Sequence, residues 1–157
     1  MTGVQTCALP IWPGSFSGGG TIVFFENTVS TGASAALISY LGDVVMDGAT
    51  TIMEAGGMTR GSGYDAWDVE GTLTLGGKLS LEVLPGFEAQ PGDSFSLFSA
   101  TGGISGDFAA LDLAPLASGD WRVVRTATAY RVEVIPLPAG AWLLLSGLGL
   151  LILRRRA

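Results

Sequence analysis

The chain has 157 residues, 14% of them charged, with 14 Asp and Glu against 8 Lys and Arg, a net charge of −6, one cysteine and no histidine. The absence of histidine removes Ser-His-Asp and Cys-His catalysis and most zinc sites, and an acidic, lysine-poor surface excludes nucleic acid, which needs a basic footprint. No phosphate-binding loop follows a strand into a helix, so the expectation is a non-enzymatic protein without a cofactor.

Residues Thr2 to Ile11 read Thr-Gly-Val-Gln-Thr-Cys-Ala-Leu-Pro-Ile. They back-translate as ACT GGA GTT CAG ACG TGT GCT CTT CCG ATC, a string that resembles a common sequencing-library adapter. GTG, an alternative start codon, precedes it in the adapter and would be written Met1. Residues 1–12 are therefore expected to be an artefact, excluded from fold reasoning. Cys7 then carries no biological information, and the rest is expected to be the C-terminal part of a longer protein.

The body, 13 to 134, alternates short β-type runs with Gly-, Ser- and Asp-rich turns. Predicted strands in chain order are 21–25, 35–40, 44–46, 50–54, 69–75, 78–84, 94–99, 107–113 and 121–135, the last broken near 126–128. Period-2 alternation puts Leu73 with Leu75, and Leu79 with Leu81 and Val83, on single faces. Gly76-Gly77 reads as a tight turn, and Pro85-Gly86 and Pro91-Gly92 as further turns. No segment before residue 135 has a helical period. Phe24, Leu37, Ile52, Leu73, Leu75, Leu79, Leu81, Phe95, Leu97 and Phe108 are the expected core.

Two architectures fit, a β-solenoid and a β-sandwich. Strands every roughly 8 to 12 residues with small turn residues between them favour the solenoid. The run from Phe24 to Ala36 resembles coils of autotransporter-like right-handed parallel β-helices. The series from Gly71 through Leu79–Leu84, 91–98, Gly106–Phe108 and Leu111–Leu116 resembles the terminal segment of such passenger-like proteins. That resemblance implies solenoid coils over 13–68 and a β-rich cap over 69–134, closing an otherwise unpaired sheet edge.

Residues 61–70, Gly-Ser-Gly-Tyr-Asp-Ala-Trp-Asp-Val-Glu, hold the most suggestive cluster in the body. Gly61-x-Gly63-x-Asp65 copies part of the calcium nonapeptide repeat, with Asp68 and Glu70 as further oxygen ligands. Tyr64 and Trp67 beside carboxylates suit sugar contact. Calcium sites of this kind use successive repeats, and one copy stands here, so a polar loop between β segments is the plainer reading. Asp65 and Asp68 could serve a glycosidase only with a partner carboxylate on a second element, and none is visible.

The last 23 residues carry the functional signal. Pro136 and Pro138 lack amide hydrogens and bar upstream helix. Leu137 to Leu153 has no charge and spans roughly 25 Å as a helix, the short end of a bilayer crossing. Trp142 suits an interface, and Arg154, Arg155 and Arg156 mark the cytoplasmic end. Ile135-Pro136-Leu137-Pro138-Ala139, this apolar run and the terminal arginines together resemble the PEP-CTERM class of sorting signals, in the variant with a Val-Pro-Leu-Pro-Ala core. Ile135 stands where that variant has Val. The resemblance implies a Gram-negative export substrate held in the inner membrane. An exosortase-type membrane protease would cut it near the proline motif and release it to the cell surface or an exopolysaccharide-bearing matrix. Its implied partners are that protease, the lipid bilayer and exopolysaccharide. The alternatives are a permanent single-pass anchor and the C-terminal fragment of a β-helix polysaccharide-active enzyme, which clustered Asp, Lys or Arg on upstream coils would support.

Overall fold

The computed structural model describes residues 20–32 and 34–137. Those residues form thirteen strands and no helix. The strands are β1 (Thr21–Phe25), β2 (Thr28–Ser30), β3 (Leu37–Tyr40), β4 (Asp43–Asp47), β5 (Thr50–Ala55), β6 (Ala66–Val69), β7 (Leu73–Leu75), β8 (Lys78–Val83), β9 (Ser94–Ala100), β10 (Ile104–Gly106), β11 (Ala110–Leu113), β12 (Asp120–Arg125) and β13 (Ala129–Ile135). The adapter-like residues 1–12 and the expected tail helix over 137–153 lie outside the described residues, apart from Leu137, which is exposed.

Three sheets run side by side, ordered β1-β4-β7-β10, β2-β5-β8-β11 and β3-β6-β9-β13-β12. Each strand of the first nine pairs, in parallel, with the strand three further on or three back. The chain therefore visits the three sheets in turn and returns to the first one level further along. Parallel pairing continues through residue 69 without interruption and ends at β10 and β11. Only β12 and β13 are antiparallel, β13 to β9 and β12 to β13.

Register explains the core. In a parallel ladder, paired residues point to the same face, so side chains stack into columns. Ile22, Val44, Leu73 and Ile104 form one column; Val29, Thr51, Leu79 and Leu111 a second; Ile38, Trp67 and Phe98 a third. Middle members are buried because a neighbour covers them above and below. Leu111, at the end of its column, stays 47% exposed. Each fully buried Leu, Val or Phe contributes roughly 1.5–3 kcal/mol.

The columns correct three core expectations. Leu37 is 39% exposed, while Ile38 and Tyr40 point inward. Ile52 and Phe24 are half-buried. In β5 it is Thr51, Met53 and Ala55 that face in, because Thr51 stands in register between Val29 and Leu79. A residue's own hydrophobicity loses to its place in a column. Leu73, Leu75, Leu79, Leu81, Phe95, Leu97 and Phe108 are buried as expected.

The strand boundaries also shift at corners. The run 69–75 is two strands, β6 and β7, in different sheets, and 107–113 gives way to β10 and β11. Gly76-Gly77 is a corner, not a hairpin, since β7 and β8 never pair. At another corner Gly20, Gly42, Gly71 and Gly102 stack main chain on main chain. A Cβ on Gly71 would lie 2.6 Å from the Gly42 carbonyl oxygen, and one on Gly102 2.6 Å from the Gly71 carbonyl carbon. The direct contact is marked by the Gly102 amide donating to Gly71 at 2.9 Å. Only glycine permits that approach.

The far end is covered by the β12–β13 hairpin. Ala127 accepts from the Ile104 amide at 2.7 Å, the Arg125 guanidinium donates to the Ile104 carbonyl at 2.9 Å, and Trp121 Nε1 donates to Ala114 at 2.7 Å. Edge groups of β10 and the residue after β11 thus find partners.

Gly71→Ala should cost about 2 kcal/mol or more by driving a methyl into backbone. Gly20→Ala, where the added Cβ meets nothing within 4 Å, should stay within about 0.5 kcal/mol. Urea denaturation midpoints of the two variants check this.

Candidate functional site

Connections are short everywhere except at one corner. The turns from the first sheet to the second (26–27, 48–49, 76–77, 107–109) and from the third back to the first (41–42, 70–72, 101–103) hold two or three residues. Those from the second sheet to the third run 31–36, 56–65, 84–93 and 114–119. Short corners keep the ladders in register, and extra chain is tolerated where stacking is not interrupted. In coiled repeats such insertions gather on one face and often bind. This loop-bearing corner is the candidate surface.

Residues 61–65 of the 61–70 cluster lie in it, 66–69 form β6 and Glu70 opens the next short turn, and the cluster's side chains at and beside the corner are used by the fold. Asp65 is buried. Its Oδ1 accepts from the Ala36 amide at 2.8 Å and its Oδ2 from the Glu54 amide at 2.7 Å. The carboxylate thereby ties two successive levels of strands at the corner. Burial pushes the Asp65 carboxyl up, while the two amides pull it down. The buried Thr31 hydroxyl favours the ionised form but makes no hydrogen bond of ordinary geometry.

Asp68 faces outward on β6. Arg60 donates to its Oδ2 at 2.9 Å through Nη1 and to its Oδ1 at 2.7 Å through Nη2, and the Ser99 hydroxyl donates to Oδ1. The Arg60 guanidinium holds the Asp68 carboxyl below its ordinary value. Arg60 also reaches the carbonyls of Ser96 at 3.2 Å and Trp67 at 3.3 Å, clamping the 56–65 connection across β6 and β9.

The aromatics are packed under the loops. Tyr64 stacks edge-on against Phe95 at 5.2 Å, and its hydroxyl accepts from the Ser96 amide at 3.3 Å. Trp67 is buried in its column and meets Phe24 edge-on at 6.0 Å. Both oxygens of Asp65 are committed to amides, and both rings are covered. Among the described residues no three His, Cys, Asp or Glu side chains converge as a metal site. Beside the cluster, Val83 to Glu88 with Ala114 and Pro115 line a shallow open groove of about 640 Å³.

Two features carry no motif signal. Arg60 becomes a clamp only once β6 and β9 are adjacent. Glu54 and Glu82 become neighbours only through the β5–β8 register. Of the proline motif, Ile135 is the last residue of β13, and Pro136 and Leu137 are exposed beyond it. Pro138, Ala139, Arg154, Arg155 and Arg156 lie outside the described residues.

Asp65→Asn turns an NH₂ toward one of two buried amides and should cost about 1–3 kcal/mol, read by chemical denaturation. For Asp68 the folded carboxyl binds its proton less tightly than the unfolded one, whose ordinary value is 3.8. Its contribution is present above that value and lost as pH falls through the lower folded one. Solvent screening keeps it at about 1 kcal/mol or less. The stability gap between the native chain and Asp68→Asn should therefore shrink on acidification below about pH 4, measured by denaturation across pH.

The chain matches no model of a known family, and no curated protein is significantly similar to it in sequence.

Proposed function

We propose that the chain is an exported, non-enzymatic surface or matrix protein of a Gram-negative bacterium. In this reading its body is the end of a right-handed parallel β-helix, and its tail is an exosortase-type sorting signal. One observation carries the reading: the last strand among the described residues ends at the first residue of the proline motif. Ile135 closes β13, and Pro136 and Leu137 stand exposed. A protease needs an extended, accessible substrate strand outside the fold, and two prolines keep it from joining sheet or helix. The uncharged run that follows and the arginines at its end suit a bilayer span with its C-terminus in the cytoplasm.

The body supports the same reading. Three strands per level, in parallel register with the third strand on, are what a coiled solenoid requires. A surface with its long connections gathered at one corner suits presentation to polysaccharide or to other matrix components.

In cells with the matching protease, the mature protein should end near Pro138 and leave the membrane. Pro136→Ala with Pro138→Ala should keep the hydrophobic span but remove the motif, so that full-length protein accumulates in the inner membrane. Mass spectrometry of the C-terminus on released protein decides the matter. An intact Arg-Arg-Arg-Ala end on released protein would sink the proposal.

A further inference from the structure

Beside the loop-bearing corner stands a group of two acids, Glu54 and Glu82, that neither the fold nor the sorting tail accounts for. We propose that Glu54 is the proton-binding member of this group, and that proton uptake there tightens the 56–65 connection onto the body.

The placement follows from register. Glu54 on β5 pairs with Glu82 on β8, so two carboxylates stand side by side on the same face. Like charges directly opposed on a sheet are destabilising. Glu54 Oε2 is buried and has no hydrogen-bond partner. Behind it lies Asp65, whose Oδ2 sits 2.7 Å from the Glu54 amide, while the Asp65 amide donates to the Glu54 carbonyl at 2.9 Å.

Among the described residues no cation offsets this. The strand on the other side, β2, ends opposite Ile52, and Thr31 and Gly32, which continue past it toward the level of Glu54, carry no charge. Glu82 is the acid that β8 presents beside Glu54, and Lys78 at the other end of that strand is paired with Asp112 at 2.6 Å. The 56–65 connection brings Asp65 and Arg60, and the Arg60 guanidinium is committed to Asp68 at 2.7 Å. An ionised Glu54 therefore has an unpartnered buried oxygen between two acids. Burial first, then Asp65 and Glu82, push its carboxyl above the ordinary value.

Protonation from solvent changes the arrangement without any other reactant. The neutral carboxyl has an O–H to donate, and the Glu82 carboxylate beside it can accept. The folded state then holds the proton more tightly than the unfolded chain. The stabilisation is complete below the ordinary value of 4.5 and is lost as pH rises through the higher folded value. The element that responds is the 56–65 connection, whose Asp65 hydrogen-bonds the Glu54 main chain, and which is held by Gly56 donating to Gly63 at 2.7 Å and Gly61 donating to Tyr64 at 2.8 Å.

The test compares amide-exchange protection at Gly56 and Gly61 in the full chain, Glu54→Gln and Glu82→Gln, at pH 4 and pH 7.5. Glu54→Gln mimics the neutral carboxyl. It should raise protection at pH 7.5 severalfold. The gap should close at pH 4, and Glu82→Gln should give a smaller rise of the same sign. A carboxyl-carbon NMR titration of the unmodified chain, independent of any variant, should place the Glu54 midpoint above the ordinary value of 4.5. Equal or lower protection in Glu54→Gln at pH 7.5, a gap unchanged between the two pH values, or a Glu54 midpoint at or below 4.5 would each overturn the proposal.

Discussion

In-register parallel stacking is the constraint from which the rest of this structure follows. Once Val44 sits over Leu73, and Thr51 over Leu79, every residue shares the environment of the residues above and below it. A column faces inward or outward as a whole, whatever the chemistry of its individual members. This is why Thr51 is buried and Ile52 is not. It is also why the outer face shows ladders of small polar groups, such as Thr74 beside Ser105 at 3.1 Å. The same constraint acts on the main chain at corners. Coils in contact leave no room for a Cβ where Gly42, Gly71 and Gly102 meet. The energy is distributed over many such contacts between neighbours, so each level depends on the next.

Stacking also decides where chemistry can be placed. Two of the three corners are held to two or three residues, and the third absorbs every longer connection. The buried carboxylate of Asp65, the Arg60 clamp, the aromatic group around Phe95 and the Glu54–Glu82 pair all lie at or beside that corner. Asp65 illustrates the exchange involved. It costs the burial of a carboxyl, and it supplies acceptors to two amides, of Ala36 and Glu54, that a longer connection would leave without partners. At the far end the antiparallel β12–β13 hairpin breaks the repeat and covers β10, which leaves β13 to lead the chain out at Ile135.

Much of this was legible in the sequence where alternation is local. The strands 21–25, 50–54, 78–84 and 94–99, and the break near 126–128, follow from period-2 patterns and turn residues. The parts that were not legible depend on register. Paired positions recur 22 residues apart from Ile22 to Val44, 29 from Val44 to Leu73 and 31 from Leu73 to Ile104. With unequal coils no fixed repeat shows. β2 and β10, three residues each, are too short for a periodic signal. Gly76-Gly77 has the composition of a hairpin turn, and only the stacking of its flanking strands on other levels makes it a corner. Tyr64, Asp65, Trp67 and Asp68 were found as a cluster, but their composition could not tell a ligand surface from the inside of a corner.

Nuclear Overhauser contacts across the ladders test the stacking itself. The account predicts contacts between Val44 and Leu73, Thr51 and Leu79, and Trp67 and Phe98, all in parallel register. It predicts none of the cross-strand pattern that would join β7 to β8 as a hairpin around Gly76-Gly77. Antiparallel contacts between β7 and β8, with the three long-range pairs absent, would contradict the parallel stacking and with it the columns, the glycine corners and the loop-bearing edge.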